Sequence, residues 1–236
     1  DIPDIPADVA RELEPVAEKY AFRTNDYYLG LIDWADPDDP IRRLIIPHPS
    51  ELTEWGDLDA SNEAANTVVQ GLQHKYRDTA LVLAACTCGA YCRYCFRKRL
   101  FMRHNEEAAQ DFAPAFAYVA RHAQITDVLL TGGDPLVLPT SRLAPLIRRF
   151  AAIRHVRTVR VGSKMLAFNP FRILDDHDLL ELIERVVHRG TAIYIMAHFD
   201  HPRELTDPAR DAIRALQEAG AHVVNQCSLI RGVNDD

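Results

Sequence analysis

From Leu72 onward the chain alternates short apolar runs with longer amphipathic stretches. The runs fall at 81–85, 128–130, 156–161, 192–197 and 222–226, each bounded by turn residues. Runs of this length and β-branched content predict buried strands of a parallel sheet. Helix punctuation lies between them. Thr140-Ser141 caps a helix running to Ala151, Asp175-Asp176 starts one that ends at Gly190, and Thr206 with Asp207-Pro208 starts one that ends at Gly220. The later strands recur roughly every thirty residues, the length of one βα unit. Repeated βα units build an open doubly wound sheet or a barrel, and both place chemistry at the carboxyl ends of the strands. Five strands are expected, with the sheet ending unfinished at Gly232-Val233-Asn234-Asp235-Asp236 and a final strand and C-terminal region absent from the chain.

Residues 1–70 have a different texture. Positions 7–20 carry apolar residues at helical spacing, and the acidic, proline-rich loop 33–40 reads as a solvated connector. The predicted organisation is a mostly helical N-terminal accessory region over 1–70 followed by a βα array over 71–236.

Composition narrows the function classes. A length of 236 residues, 47% hydrophobic and 26% charged, suits a globular chain with one full core. A net charge of -7 argues against nucleic acid or an anionic membrane as partner. Local basic clusters, Arg97-Lys98-Arg99 and 154–160, suit a small anionic ligand instead. No apolar run reaches the length of a membrane span, no signal peptide opens the chain, and the missing initiator Met is read as a trimmed chain or a fragment. Three of the five cysteines fall within eight residues, which predicts a metal or redox site in the cytoplasm rather than a secreted disulfide framework.

The chemistry-bearing residues all follow strands. Cysteines 86–95 follow the first run, Thr131-Gly132-Gly133-Asp134 the second, Gly162-Ser163-Lys164 the third and His198 the fourth. The segment Cys88-Gly89-Ala90-Tyr91-Cys92-Arg93-Tyr94-Cys95 has the form C-x3-C-x2-C. Three thiolates can each bind one iron of a [4Fe-4S] cubane, leaving the fourth iron open. An open iron suits the amino and carboxylate groups of S-adenosylmethionine, whose sulfonium bond one electron can break. Two other readings stand beside this one. The spacing i, i+4, i+7 is also a helical stripe of structural cysteines, though Gly89 and Cys86-Thr87 disfavour a helix start here. A zinc site with Cys86 or His104 as fourth ligand is the second, although no further C-x2-C or H-x3-H pair follows.

On these residues the chain resembles the radical S-adenosylmethionine superfamily, and more narrowly the lysine 2,3-aminomutase family. The segments that carry the resemblance are Gly71-Leu72-Gln73-His74-Lys75-Tyr76, residues 91–99, Leu130-Thr131-Gly132-Gly133-Asp134-Pro135-Leu136, Arg160-Val161-Gly162-Ser163-Lys164, His198-Phe199-Asp200-His201-Pro202, Asn225-Gln226 and Arg231-Gly232-Val233-Asn234-Asp235. The resemblance implies a partial (β/α)6 barrel of the radical S-adenosylmethionine type. It also implies a reaction in which an amino group, held by pyridoxal phosphate, moves from C2 to C3 of an amino acid. Relatives that modify a lysine of elongation factor P share the Cys-Arg-Tyr-Cys-Phe-Arg stretch, seen here at 92–97. A form without pyridoxal phosphate is the other enzymatic alternative, and a zinc-stabilised binding domain the non-enzymatic one.

By the same resemblance, Cys88, Cys92 and Cys95 are expected to hold the cluster. Tyr94, Gly132, Gly133, Asp134, Ser163, His198 and Gln226 are expected around S-adenosylmethionine, and Arg97 on the substrate carboxylate. Lys75 and Tyr76 match a basic–Tyr pair that holds the pyridoxal phosphate group, although the family carries arginine at the first position and again at Thr79. Lys98 and Arg99 read as solvated neighbours, and Cys86 and Cys227 as small core residues. No lysine here takes the Schiff-base role, Lys164 included. The implied partners are an amino acid or a protein lysine, a reductant such as flavodoxin or ferredoxin, and a second copy of the chain.

Overall fold

The computed structural model describes residues 7–53, 56–102 and 107–235. Helices α1 (Ala7–Lys19), α2 (Asp26–Leu29), α3 (Pro40–Ile45) and α4 (Glu63–Asn66) come first, followed by strands β1 (Thr67–Val69), β2 (Leu72–Tyr76) and β3 (Thr79–Ala85). Beyond the cysteine loop come α5 (Ala113–Arg121), β4 (Asp127–Gly132), α6 (Thr140–Ala151) and β5 (Thr158–Ser163). The chain continues through α7 (Met165–Phe168), α8 (Phe171–Leu174), α9 (His177–His188), β6 (Ala192–Ala197), α10 (Asp207–Glu218) and β7 (His222–Asn225). The strands form one sheet in sequence order. Strands β3 to β7 are parallel, β1 and β2 antiparallel, and β1 and β7 are the open edges. An open, mostly parallel sheet with intervening helices is consistent with a partial α/β barrel.

The five predicted runs are the five parallel strands. The β1–β2 hairpin adds two more, so the sheet has seven strands where five are expected. Hydrophobic pattern misses them because β1 has three residues and β2, Leu-Gln-His-Lys-Tyr, is mostly polar. Their turn needs Gly71, at φ 73°, where a Cβ would also press within 2.6 Å of the Ala109 Cβ. Thr140 and Ser141 do not cap α6, which begins after Pro139 with no side-chain cap while the Thr140 hydroxyl donates to Asp176 at 2.8 Å. The other two predicted helix starts follow local chemistry. Asp176 accepts a hydrogen bond from the Leu179 amide at 3.0 Å and caps α9, and Thr206 accepts one from Ala209 at 3.2 Å and caps α10.

Residues on one face of the sheet, among them Val128, Leu130, Val159, Val161, Ile193 and Ile195, are buried with Leu143 and Ile147 of α6 and Leu179 and Leu182 of α9. Each such side chain contributes about 1.5–3 kcal/mol by leaving water. The alternate residues Leu129, Arg160 and Tyr194 pair in one register row and are half-buried. The parallel strands are thus buried on one face and only partly on the other.

The N-terminal segment shares this core: Tyr28, Ile41, Leu44 and Ile45 belong to the same buried cluster. Three carboxylates fasten it to the later chain, through Asp39–Arg203, Glu51–Arg93 and Glu63–Arg97. Asp39 corrects the reading of 33–40 as wholly solvated. Residues 33–38 are exposed, but Asp39 is fully buried, caps α3 through the Arg42 amide at 2.8 Å and accepts from Asp33 at 3.1 Å.

Candidate functional site

The cysteines stand on an irregular loop at the carboxyl end of β3, which removes the helical-stripe reading. All five cysteines are free; Cys88, Cys92 and Cys95 are partly buried. Cys86 and Cys227 are exposed rather than in the core, because each follows the end of a strand where the chain turns outward. The loop is pinned by main-chain bonds to the N-terminal segment, from the Tyr91 amide to the Arg23 carbonyl and from Arg93 to Leu44, each 2.9 Å. On its other side Gly133 donates to Ala85 at 2.7 Å and Asp134 to Thr87 at 2.8 Å. A Cβ on Gly133 would lie 2.2 Å from the Thr87 carbonyl oxygen, and Gly132 has φ 111°. These glycines permit close approach, and what approaches here is the backbone of the cysteine loop.

Burial pushes the Cys88 thiol well above its ordinary value, and Cys92 up to about 12 with Lys164 the main opposing charge. The Cys95 thiol is also raised by burial, against the charges of Arg97, Lys98 and Arg99. Each thiolate would raise its neighbours' values, so the three sulfurs share one electrostatic environment. Among the described residues, no three Cys, His, Asp or Glu side chains converge as a metal-binding group. The donor chemistry nevertheless fits a thiolate-bound metal group: three unpaired thiols on one loop with cations beside them. His104, one of two zinc ligands considered, lies outside the described residues.

Behind the loop lies a buried ionic cluster that the sequence reading does not assemble. Lys164, after β5, places its Nζ 2.7 Å from Asp200 and 2.6 Å from Glu204. The Tyr94 hydroxyl donates to Asp200, and the Tyr28 hydroxyl donates to Glu204 at 2.6 Å. Burial alone would lower the Lys164 pKa, but Glu204, Cys92 and Asp200 raise it, so it is held as an ammonium. Tyr94 is raised far above the ordinary value by burial and by the Cys92 and Asp200 charges, so its phenol stays protonated.

Arg97 sits at the same end of the sheet, and its fork is already engaged. Its Nε and Nη2 lie 2.8 and 2.6 Å from Glu63 Oε1, and its Nη1 donates to Thr131 Oγ1 at 3.1 Å. Arg99 and Lys98 depart from the solvated reading. Arg99 Nη2 lies 2.6 Å from Glu63 and 2.9 Å from Glu107, and Lys98 Nζ lies 3.1 Å from Glu51. Burial pushes the Glu63 carboxyl up, but Arg97 and Arg99 outweigh it and hold it below its ordinary value. No pattern marks Glu63 in the sequence, since it sits in a polar stretch without periodicity.

The remaining rim residues follow strand ends as expected. Ser163 is buried and donates to Asp134 at 2.9 Å, and the Lys164 amide donates to the same carboxylate oxygen at 2.7 Å. Burial pushes the Asp134 carboxyl up to about 6 against these bonds. Asp134 also caps the 3-10 turn Pro135–Val137 through Leu136, so its orienting and capping roles coexist. His198 is half-buried, and burial followed by the Lys164 charge lowers its pKa, leaving a neutral imidazole. Gln226 is exposed, and its amide bonds the Ala197 carbonyl at 2.7 Å.

Lys75 and Tyr76 stand apart from the cysteines, but Lys75 lies beside the Arg97 cluster, since the Asp59 carboxylate feels both Lys75 and Arg99 and accepts from the Glu63 amide. Tyr76 pairs with Thr79, so both stand at the amino end of β3, roughly 20 Å along the strand from the cysteine loop. Both are exposed, and Lys75 bonds the Ser61 carbonyl at 3.2 Å. Among the described residues no helix is long and apolar enough to cross a membrane.

No protein-family model matches the chain. Curated proteins do. A protein of Aquifex aeolicus (strain VF5) named "Putative L-lysine 2,3-aminomutase" is 54% identical over 236 residues, covering 100% of this chain and 63% of the relative. The L-lysine 2,3-aminomutase of Clostridium subterminale is 36% identical over 212 residues, 89% of this chain and 50% of that protein. The glutamate 2,3-aminomutase of Clostridioides difficile (strain 630) is 31% identical over 226 residues, 95% of this chain and 52% of the relative. The chain therefore spans between half and somewhat under two thirds of these relatives. On this similarity, carried along its full length, the chain belongs to the lysine 2,3-aminomutase family.

Proposed function

We propose that this chain is the βα core of a radical S-adenosylmethionine aminomutase that moves an amino group from C2 to C3 of an L-amino acid, lysine first. The observation that carries this reading is the set of free thiols of Cys88, Cys92 and Cys95 on one loop at the carboxyl end of β3, a loop whose Thr87 backbone packs against Gly133. Three thiolates are the protein's share of a [4Fe-4S] cluster whose fourth iron serves the amino and carboxylate groups of S-adenosylmethionine. When bound, the cluster and cofactor supply one-electron cleavage of a carbon–sulfur bond, and pyridoxal phosphate supplies a carrier for the migrating nitrogen.

The chain's own residues hold and orient. The buried thiols are neutral without metal, so loading releases protons, and Lys164 and Arg97 to Arg99 offset the thiolate charge. Tyr94, anchored on Asp200, fixes the loop between Cys92 and Cys95. Arg97 holds the amino-acid carboxylate in the plane of its guanidinium, and His198 and Gln226 offer neutral hydrogen-bonding groups along the rim. Ser163 acts through Asp134, to which it donates. Lys75 and Tyr76 would hold the phosphate of the pyridoxal cofactor, with Lys75 beside the Asp59 carboxylate that also faces Arg99. Lys164, paired as an ammonium with two carboxylates, is unsuited to an imine. A small reductant of the flavodoxin or ferredoxin kind is the electron donor, in the cytoplasm. The stretch at 92–97 favours a second substrate reading, a lysine of elongation factor P.

Anaerobic iron and sulfide analysis with a visible spectrum tests the reading, together with 5′-deoxyadenosine formation on dithionite reduction. Both are expected in the intact protein and lost in Cys88→Ala. Stoichiometric zinc without a broad visible band would return the zinc-stabilised binding domain instead.

A further inference from the structure

The carboxylate on Arg97 belongs to the protein itself. Glu63 takes the Nε–H and one Nη2–H, and Thr131 takes one Nη1–H. A guanidinium has five N–H donors, so one remains on each terminal nitrogen. The Phe96 ring packs 4.7 Å from the guanidinium carbon. Thr131 is on β4 one residue before Gly132, so the Nη1 end is at the mouth of the sheet.

Glu63 is poorly placed to be displaced by a ligand. It is buried, accepts from Arg97 and from Arg99 Nη2 at 2.6 Å, and its amide donates to Asp59 Oδ1 at 2.8 Å. Its carbonyl accepts from the Thr67 hydroxyl at 2.9 Å. Leaving would break the ion pairs of a buried carboxylate with Arg97 and Arg99, a heavier loss than one ligand contact restores. We infer that Glu63 is a positioning residue: it fixes the plane of Arg97 so that the two remaining N–H groups receive the carboxylate of an α-amino acid. Glu63 thereby sets preference for ligands bearing a free carboxylate. The inference rests on the reading of Arg97 given under Proposed function.

The test uses the full-length protein loaded with its cofactors, with L-lysine and L-lysinamide as probes. Glu63→Ala is expected to raise KM for L-lysine by about tenfold with kcat little changed. Binding of L-lysinamide, which has no carboxylate, is expected to change less than about twofold. Glu63→Gln, which keeps the shape, is expected to lie between the wild type and Glu63→Ala and serves if the alanine variant does not fold. Unchanged or tighter L-lysine binding in Glu63→Ala would overturn the inference, since Glu63 would then be dispensable or a blocker. Equal loss for lysine and lysinamide would also overturn it, marking a structural role alone. Arg97→Ala separates the two layers. If it binds lysine like the wild type, the carboxylate reading of Arg97 fails; if it loses lysine while Glu63→Ala does not, only the positioning role fails.

Discussion

Lys164 Nζ lies 2.7 Å from Asp200 Oδ2, joining the end of β5 to the residues after β6 in the buried interior beneath the cysteine loop. With Glu204 at 2.6 Å the single cation faces two carboxylates. Lys164→Met would leave both uncompensated, at a cost of about 3–5 kcal/mol. Urea unfolding should show the midpoint falling by that equivalent; a loss under about 1 kcal/mol would mean that water reaches the cluster.

Gly133→Ala should loosen the cysteine loop. The added methyl would sit 2.2 Å from the Thr87 carbonyl oxygen, so the loop must move. The expected cost is about 1–3 kcal/mol, with iron retention after anaerobic reconstitution well below that of the wild type. Full iron loading with unchanged stability would contradict the close packing.

Thr206→Ala removes the cap of α10 and a 2.6 Å hydrogen bond with the Tyr27 hydroxyl. A loss of about 1–2 kcal/mol is expected in thermal unfolding. The side chain lies away from the cysteine loop in sequence and contact, so iron content should be unchanged.

Acid should weaken the docking of the N-terminal segment. Burial would raise the Glu51 carboxyl, but Arg93 and Lys98 hold it below its ordinary 4.5. Asp39 lies below 3.8 by the same balance, with Arg42 and Arg203 outweighing burial. Groups depressed in the folded state contribute fully above their unfolded pKa, and that contribution disappears as pH falls through the unfolded value toward the folded one. Stability measured by urea at about pH 6 and about pH 3.5 should therefore drop, and Glu51→Gln should show a smaller drop than the wild type.

The parallel strands, the caps of α9 and α10 and the strand-end positions of the motifs were legible because each rests on local pattern. Val159 and Val161 announce a strand by alternation alone, and Asp176 announces a helix by its donor demand. The β1–β2 hairpin was not legible, since Lys75 and Tyr76 look like surface residues and their pairing depends on Gly71. Arg99 looks like a solvated cation until Glu63, far away in sequence, is folded beside it. Asp39 and Cys86 failed in opposite senses: an acidic loop hid one buried anchor, and an apolar residue type suggested burial where the chain turns out to solvent. Long-range electrostatic pairing has no signature of period or spacing, so the ionic parts of the site emerged only from the fold.

The main-chain bonds from Tyr91 to Arg23 and from Arg93 to Leu44 carry a consequence for biosynthesis. Ribosomes deliver residues in order, so the carbonyls that brace the thiol loop leave the exit tunnel before any of its cysteines. The brace is upstream and the strand that ends in the loop comes later. Nascent thiols therefore emerge after the carbonyls that brace one side of their loop and before Gly133 and Asp134, which close the other, so the loop is completed only once β4 has been made.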